Sequence, residues 1–516
     1  MGWTFLTADS AVSWMNSLSI VYLFVTIAVL SVIRYWKEIQ EYLKFRKEML
    51  ECSSSLPGPP SIPIFGNALQ FIDSDKSIFI LAQMSQDINA GTFKIWLGPL
   101  MKIIVTDPRD FEIIMGSPKA AEKEKVYDFM EPVVCNSLIN GGGPTYRAHK
   151  KLVVPLINGG NLITEHIKQF NIQTKIMVNK MAERVGNGEY DIYHTIVPCV
   201  ADIVFETIFG MPGNAQKGEE NILIEGTEVV LHMMYKRMIS MWLWPNAIFN
   251  RTHLGRKMVR MVKEFHNLLD DIVVKKKRDY TEMKKQGIDP DVKTSAVLDQ
   301  IISHVMKTNS WTDKELRYEM FTLFIGSHDT IAGVSCFVAL VLAMFPDVQK
   351  KVREELKDVV GDHDITEEDA TNLKYLEMVI KETIRIYPVG PVLGREMTGD
   401  LKLATCTLPK GASVYLLPFA THRDPRHWTE PEKFMPERFS PENSKGRHPW
   451  AYVPFSGGLR SCPGSKYGMI CIKVLIGQMV RYYELETTAK YETLNIHAHI
   501  STRSIDGYPI TLKKIK

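Results

Sequence analysis

The sequence predicts an α+β protein: one large, mainly helical domain with a small β-sheet, preceded by a single N-terminal transmembrane helix. Three observations lead there. Apolar residues recur with the helical period over most of the 516 residues. Strand patterns are few and short. Residues Ala11 to Ile33 form an uncharged run rich in Ile, Val, Leu and Phe.

That run is long enough to cross a hydrocarbon layer of roughly 30 Å as a helix. Asp9 precedes it, and Arg34, Lys37, Lys44, Arg46 and Lys47 follow it. This charge order suits an uncleaved anchor that keeps the body in the cytosol, and it does not suit a cleaved signal peptide. The sequon Asn250-Arg251-Thr252 is then expected to stay unmodified. A charged helical stretch from about Tyr35 to Leu50 stops at Ser53-Ser54-Ser55-Leu56-Pro57-Gly58-Pro59-Pro60. Prolines at this density fix φ and remove donors, so the segment reads as a stiff hinge. The organisation is therefore an anchor over 1–34, a linker and proline-rich hinge over 35–60, and one domain over 61–516.

Within the domain, strands are predicted at Phe93–Leu97, Met101–Val105 and, after the turn Pro409-Lys410-Gly411, Ser413–Leu417. The longest helix is readable in detail. Thr312 through Glu315 spells a capping box, and the apolar pattern then continues to Phe345 before Pro346. Its length is about 48 Å at 1.5 Å per residue, enough to run through the centre of a domain.

A formal charge of +3, with no basic stretch interleaved with aromatics, excludes nucleic acid as a partner. Seven cysteines make an odd count, with no CxxC pair and no zinc spacing, which points to a reducing compartment. Cys52, Cys135, Cys199, Cys336, Cys406 and Cys471 read as ordinary small hydrophobes.

Cys462 is different. It sits in Phe455-Ser456-Gly457-Gly458-Leu459-Arg460-Ser461-Cys462-Pro463-Gly464, of the form F-x-x-G-x-R-x-C-x-G, just before a helical pattern. A lone thiolate in such a loop suits an iron ligand. Glycines at Gly458 and Gly464 let backbone approach a flat macrocycle and aim N–H groups at the sulfur, while Arg460 can grip a carboxylate. Midway along the long helix, Gly326-Ser327-His328-Asp329-Thr330-Ile331 forms a polar patch between apolar stretches. Thr330 can bond back to the carbonyl of Gly326, and an acid beside a hydroxyl suits proton delivery. Glu382 and Arg385 lie three apart on one helix face, and Arg438 in Pro436-Glu437-Arg438-Phe439 offers a second guanidinium. These three read as scaffolding for the cysteine loop.

These motifs occur in the order seen in the cytochrome P-450 haem-thiolate monooxygenases, and over essentially the whole chain the sequence resembles that family. It looks most similar to the animal group called clan four. The resemblance implies that Cys462 is the axial thiolate on the iron of a non-covalent haem b, set in a loop with Phe455, Gly458 and Gly464. Arg460, Arg395 and Lys150 would serve its propionates, and Asp329 and Thr330 would be the acid and alcohol that deliver protons to dioxygen. There are departures. Ser327 stands where the family usually has glycine, and Ile331 where it usually has a hydroxyl. Gly326 stands where many clan-four members carry a glutamate that esterifies the haem, so that covalent link is not expected. Tyr146-x-x-x-Lys150 replaces W-x-x-x-R, which gives up the bidentate fork and is expected to weaken haem retention.

The expected activity is insertion of one oxygen atom from O2 into a lipophilic substrate at the endoplasmic reticulum membrane, the domain facing the cytosol. No G-x-G-x-x-G follows a strand and no stretch is left for a flavin domain, so electrons are expected from a separate NADPH-cytochrome P-450 reductase, with cytochrome b5 as a second donor. Arg147, Lys150 and Lys151 are candidates for the docking face. Met241-Trp242-Leu243-Trp244 suits either membrane contact or core packing. Two rival readings remain: an O2-independent isomerase or dehydratase of lipid peroxides, and a non-catalytic haem-binding protein. The pair Asp329-Thr330 argues against the first rival.

Overall fold

The computed structural model describes residues 21–27, 29–289 and 296–515. Residues 1–20 and 28 of the expected anchor lie outside the described residues. The remainder of that run belongs to an apolar helix, Val21–Arg34, whose described side chains are exposed. Helix α1 (Trp36–Cys52) follows and ends where the proline-rich segment begins. That segment is laced to the domain. Lys94 donates its backbone N–H to the Pro57 carbonyl at 3.0 Å and its ammonium to the Ser53 carbonyl at 2.8 Å, while Asn67 Nδ2 donates to the Pro60 carbonyl at 2.9 Å.

The main sheet has strand order β1-β2-β4-β3, with β1 Thr92–Leu97, β2 Leu100–Val105, β3 Leu393–Glu396 and β4 Ser413–Leu416. β1 and β2 are antiparallel, with Thr92 opposite Val105. β2 and β4 are parallel, with Ile103 opposite Val414, and β3 runs antiparallel to β4, with Arg395 opposite Val414. Its apolar side chains, among them Phe93, Ile103, Val105, Val414 and Leu416, are buried. Two further strands, β5 Ile496–Ala498 and β6 Thr502–Ser504, pair antiparallel near the C-terminus and set Arg503 opposite His497.

The helices that position the site are α2 Gly143–Asn158, α3 Gly160–Met181, α4 Tyr193–Val204, α5 Ile222–Ile239, α6 His253–Lys285, α7 Asp313–Met344, α8 Lys374–Ile386 and α9 Ser465–Tyr482. α7 is the expected long helix. Thr312 caps it with the full reciprocal box to Glu315, and it stops at Phe345 before Pro346. Its composition would pass for a membrane span, but 83% of its most apolar window is buried inside the protein, so it is the core helix of the domain. α4, α6, α8 and α9 pack around it.

Candidate active site

The cysteine loop owes its shape to three local features. Ser456 and Gly458 both have positive φ, +56° and +59°. A Cβ on Gly458 would stand 2.0 Å from the Met115 carbonyl oxygen, so backbone conformation and space both require glycine there. The Cys462 N–H donates to the Phe455 carbonyl at 2.9 Å and closes the loop.

Gly464 then caps α9, and its N–H is directed at the Cys462 sulfur. Burial pushes the thiol above its ordinary value, while that N–H and the Lys150 ammonium pull it back. Yet Cys462 as a residue is exposed, whereas Cys199, Cys336 and Cys471 are buried. Its environment thus offers donors to an anion and access to a ligand, which is what a metal-binding thiolate needs.

Lys150 on α2 lies against this loop. Its Nζ is 3.2 Å from the Ser461 carbonyl, 3.3 Å from that of Leu459 and 3.0 Å from Ser461 Oγ. An ammonium has three donors, and these three acceptors engage them, so Lys150 braces the cysteine loop instead of serving a propionate as the resemblance implied. At the end of the same helix, Asn158 Nδ2 donates to the Pro463 carbonyl at 2.6 Å. Asn158 carries no motif in the sequence, because its partner lies 305 residues away.

Arg460 is tied to the segments before α2 and to Tyr146. Its Nε donates to the Ala121 carbonyl at 2.7 Å and its Nη2 to the Gly141 carbonyl at 2.6 Å, while Nη1 is buried without a protein partner among the described residues. The guanidinium lies 3.9 Å over the Tyr146 ring. Arg395, on β3, is buried and donates Nη1 to the Gly394 carbonyl at 2.9 Å. A third basic side chain, Lys123, completes the group. Burial holds its ammonium well below the ordinary lysine value, and repulsion from Arg395 and Arg460 adds to the effect. Lys123 was not singled out in the sequence; no pattern there marks it. Two guanidinium cations, one with an orphaned buried N–H, beside an amine that neighbouring carboxylates would favour in its charged form, are the donor set for a dianionic, carboxylate-bearing ligand, so the residues present fit a haem with its two propionates.

On α7, Gly326 is exposed and Ser327 and Thr330 are half-buried, in a helix whose neighbouring residues are buried. Thr330 Oγ1 donates back to the Gly326 carbonyl at 2.7 Å, and Ser327 Oγ to that of Leu323 at 2.6 Å. A Cβ on Gly326 would meet nothing within 4 Å. Asp329 is buried and paired with Arg503 on β6. His328 is buried against Phe324, and desolvation pushes its imidazole down to about 4.

The expected scaffold is assembled and buried. Arg385 grips Glu382 bidentately, Nε to Oε2 at 2.7 Å and Nη2 to Oε1 at 2.9 Å, and Arg438 Nε reaches Oε1 at 3.3 Å. Met435 N–H adds a bond to Oε1 at 2.9 Å. Arg385 Nη1 donates to the His422 carbonyl at 2.7 Å, and His422 Nε2 accepts the Val453 N–H at 3.0 Å. Burial pushes the imidazole of His422 down to about 3, consistent with that acceptor role. His422 thus links the scaffold to the segment leading into Phe455, which local spacing in the sequence does not reveal.

A loop presenting one accessible sulfur at a helix N-terminus, flanked by a cation cluster and a notched core helix, is the arrangement of a haem-thiolate enzyme. The chain belongs to the cytochrome P450 family, whose profile matches residues 56–505, and it is an oxidoreductase of the monooxygenase type. It is 30% identical to "Cytochrome P450 4V2" of Rattus norvegicus over 463 residues, 88% of each chain, and 30% identical to the Mus musculus protein of that name over the same share. To "Cytochrome P450 4c3" of Drosophila melanogaster it is 26% identical over 489 residues, 91% of each chain.

Proposed function

We propose that the protein inserts one oxygen atom from O2 into a lipophilic substrate, such as a fatty acid, another lipid or a foreign compound, with electrons from NADPH-cytochrome P-450 reductase and cytochrome b5. Cys462, an exposed residue with the Gly464 N–H aimed at its sulfur, is the observation that carries this reading. Haem supplies the redox chemistry, and thiolate ligation favours O–O cleavage.

The chain's own residues do the rest. Cys462 holds the iron; Arg460, Arg395 and Lys123 hold the propionates; Lys150 and Asn158 hold the loop in place. Asp329 and Thr330 pass protons, and Glu382, Arg385 and Arg438 fix the scaffold. The haem would be haem b held without a covalent bond; Gly326 removes the carboxylate through which many clan-four members esterify it.

Electron delivery is supported by a cavity of about 500 Å3 lined by exposed Arg147 and Lys151, Lys150, and Gly458 and Leu459 of the cysteine loop. A basic concave face that touches this loop suits an acidic electron-transfer partner. Membrane placement is supported by a surface apolar patch. Trp242 is 69% exposed and Ile64 87% exposed, and both Met241 and Ile64 lie beside Gly98, so the two segments share one face. Tyr42 of α1 bonds the neighbouring Pro99 carbonyl at 2.7 Å, which sets the anchor's continuation at the same place. Such a face would lie on the cytosolic leaflet of the endoplasmic reticulum and admit substrates from it.

Purified protein with reductase and a panel of lipophilic probes tests the reading. NADPH consumption with oxygen uptake and hydroxylated product is expected. Conversion of a lipid peroxide without NADPH would instead mark an isomerase, and neither reaction would leave a haem-binding protein.

A further inference from the structure

A second cavity, of about 490 Å3, lies between α1, the main sheet and the segment before α2, and none of its lining residues belongs to the haem site. Aromatic rings wall it: Tyr42 and Phe45 of α1, Trp96 of β1, and Phe129 and Trp244. Two contacts fix α1 against the sheet. Tyr42 Oη donates to the Pro99 carbonyl at 2.7 Å, and Phe45 packs on Gly411, where a Cβ would stand 3.2 Å from the ring. Phe129 and Trp244 meet at 46° with their centroids 5.8 Å apart, which makes a corner. The polar edge of Trp244 is engaged, since its Nε1 donates to the Met238 carbonyl at 3.1 Å. Arg237 lies over the Phe129 ring at 4.6 Å and Arg46 over that of Trp96 at 5.3 Å, while no cation covers Trp244, Tyr42 or Phe45 among the described residues.

The charged groups on this wall are two pairs and two singles. Lys102 meets Glu124 at 2.7 Å, and Lys125 meets Glu396 at 3.8 Å. The Asp128 carboxylate has no ion-pair or hydrogen-bond partner among the described residues, and desolvation, with the Glu131 and Glu124 carboxylates, raises it above its ordinary value. Arg46 likewise forms no ion pair among the described residues. One unmatched anion and one unmatched cation, set among rings whose polar edges are engaged, match a zwitterion. A primary ammonium would look for three acceptors, and Asp128 is the single unpaired carboxylate here. A quaternary ammonium donates no hydrogen bonds and is held by ring faces and an opposite charge.

The surroundings point to the source. α1 continues the apolar helix Val21–Arg34, the Tyr35 N–H bonding the Ser31 carbonyl and the Ile39 N–H the Tyr35 carbonyl. Pro99 on the cavity wall follows Gly98, which has Met241 and Ile64 against it, and Trp242 beside them is exposed. The cavity therefore adjoins the apolar face assigned above to the bilayer.

We propose that this cavity binds the phosphocholine headgroup of a bilayer phospholipid, with the trimethylammonium group against Trp244 and Asp128 and the phosphate at Arg46. The inference rests on the membrane placement proposed above. The bound headgroup bridges α1, which carries Arg46, to the body, which carries Asp128 and Trp244, and so fixes the tilt of the domain on a choline-rich leaflet.

The test titrates full-length holoprotein in maltoside micelles with dihexanoyl phosphatidylcholine by calorimetry, with the carbon monoxide spectrum checking each variant. Saturable binding is expected, with the phosphatidylethanolamine and phosphatidylglycerol of the same chain length about tenfold weaker. Asp128→Asn and Trp244→Leu are each expected to weaken phosphatidylcholine about tenfold. Arg46→Gln weakens it too, yet leaves unchanged the binding of hexyltrimethylammonium, which carries the cation without the phosphate; Asp128→Asn weakens both ligands. Should Trp244→Leu disturb the haem spectrum, the substitutions at the exposed Asp128 and Arg46 decide. Equal affinity for the three lipids, or phosphatidylcholine binding indifferent to Asp128→Asn and Arg46→Gln, overturns the site. Free phosphocholine binding as tightly as the lipid overturns the bilayer source. Membrane placement is read separately, by quenching of Trp242 with brominated lipid in nanodiscs. Quenching with unselective binding sinks the headgroup site alone, and selective binding without quenching sinks the membrane placement and the bilayer source with it.

Discussion

At the residue scale, the site is a problem of paired and unpaired charge. Glu382 sits at zero exposure between Arg385 and Arg438. Removing one partner of such a group leaves buried charge uncompensated, so Glu382→Ala is expected to destabilise the protein by about 3–5 kcal/mol in chemical denaturation. Lys123 is the opposite case, an amine set among guanidinium cations. A lysine whose folded value lies below its ordinary 10.5 sheds its proton on folding between the two, so the unfolded chain binds more protons in that window and stability rises with pH. Haem-stripped protein is therefore expected to gain stability as pH climbs towards the ordinary lysine range. Lys123→Met should flatten that rise, and haem loading should suppress it by supplying carboxylates. Urea midpoints measured against pH for the three samples check this. Lys123→Met should also speed haem loss from the holoprotein, read by transfer to a haem acceptor.

At the scale of elements, what could be read in the sequence is what depends on neighbours in the chain. The capping box of Thr312 and Glu315 is local, and α7 begins and ends where its pattern predicts. The same holds for β1 and β2, joined by a tight turn, with β2 an apolar run buried over almost its whole length. The bond from Thr330 to Gly326 spans a single turn and was equally legible. The partners that sequence reasoning missed come from far away. Arg503 meets Asp329 across 174 residues, His422 meets Val453 across 31, and Asn158 meets Pro463 across 305. No periodicity encodes such meetings, and Lys123 lies in a segment without a regular pattern of its own. Two substitutions separate local from distant effects. Thr312→Ala loses a cap and is expected to cost about 1 kcal/mol without altering the haem spectrum. Gly458→Ala combines a positive φ with a clash on Met115 and is expected to displace the cysteine loop, lowering stability by roughly 1–3 kcal/mol and disturbing the haem spectrum.

At the scale of the whole molecule, the domain has an apolar side and a basic side. Ile64, Phe65 and Trp242 are exposed near Gly98-Pro99, where α1 meets the body. Holoprotein in lipid nanodiscs is expected to show fluorescence quenching by brominated lipid that falls in Trp242→Phe; unchanged quenching would place this face in water. Arg147 and Lys151 mark the cavity at the cysteine loop, and reversing their charge should weaken reduction by the reductase in a salt-dependent way while leaving substrate-induced spectral shifts intact. On the proposed reading both surfaces serve one internal event, the meeting of the Cys462 sulfur with the iron of a haem whose propionates would be held by the cation cluster. The most direct measurement is the spectrum of the reduced holoprotein under carbon monoxide. The account predicts a Soret band at the long wavelength that thiolate ligation produces, lost in Cys462→Ala and kept in Cys471→Ala. A parent protein without that band, or a Cys462→Ala variant that retains it, would contradict the account.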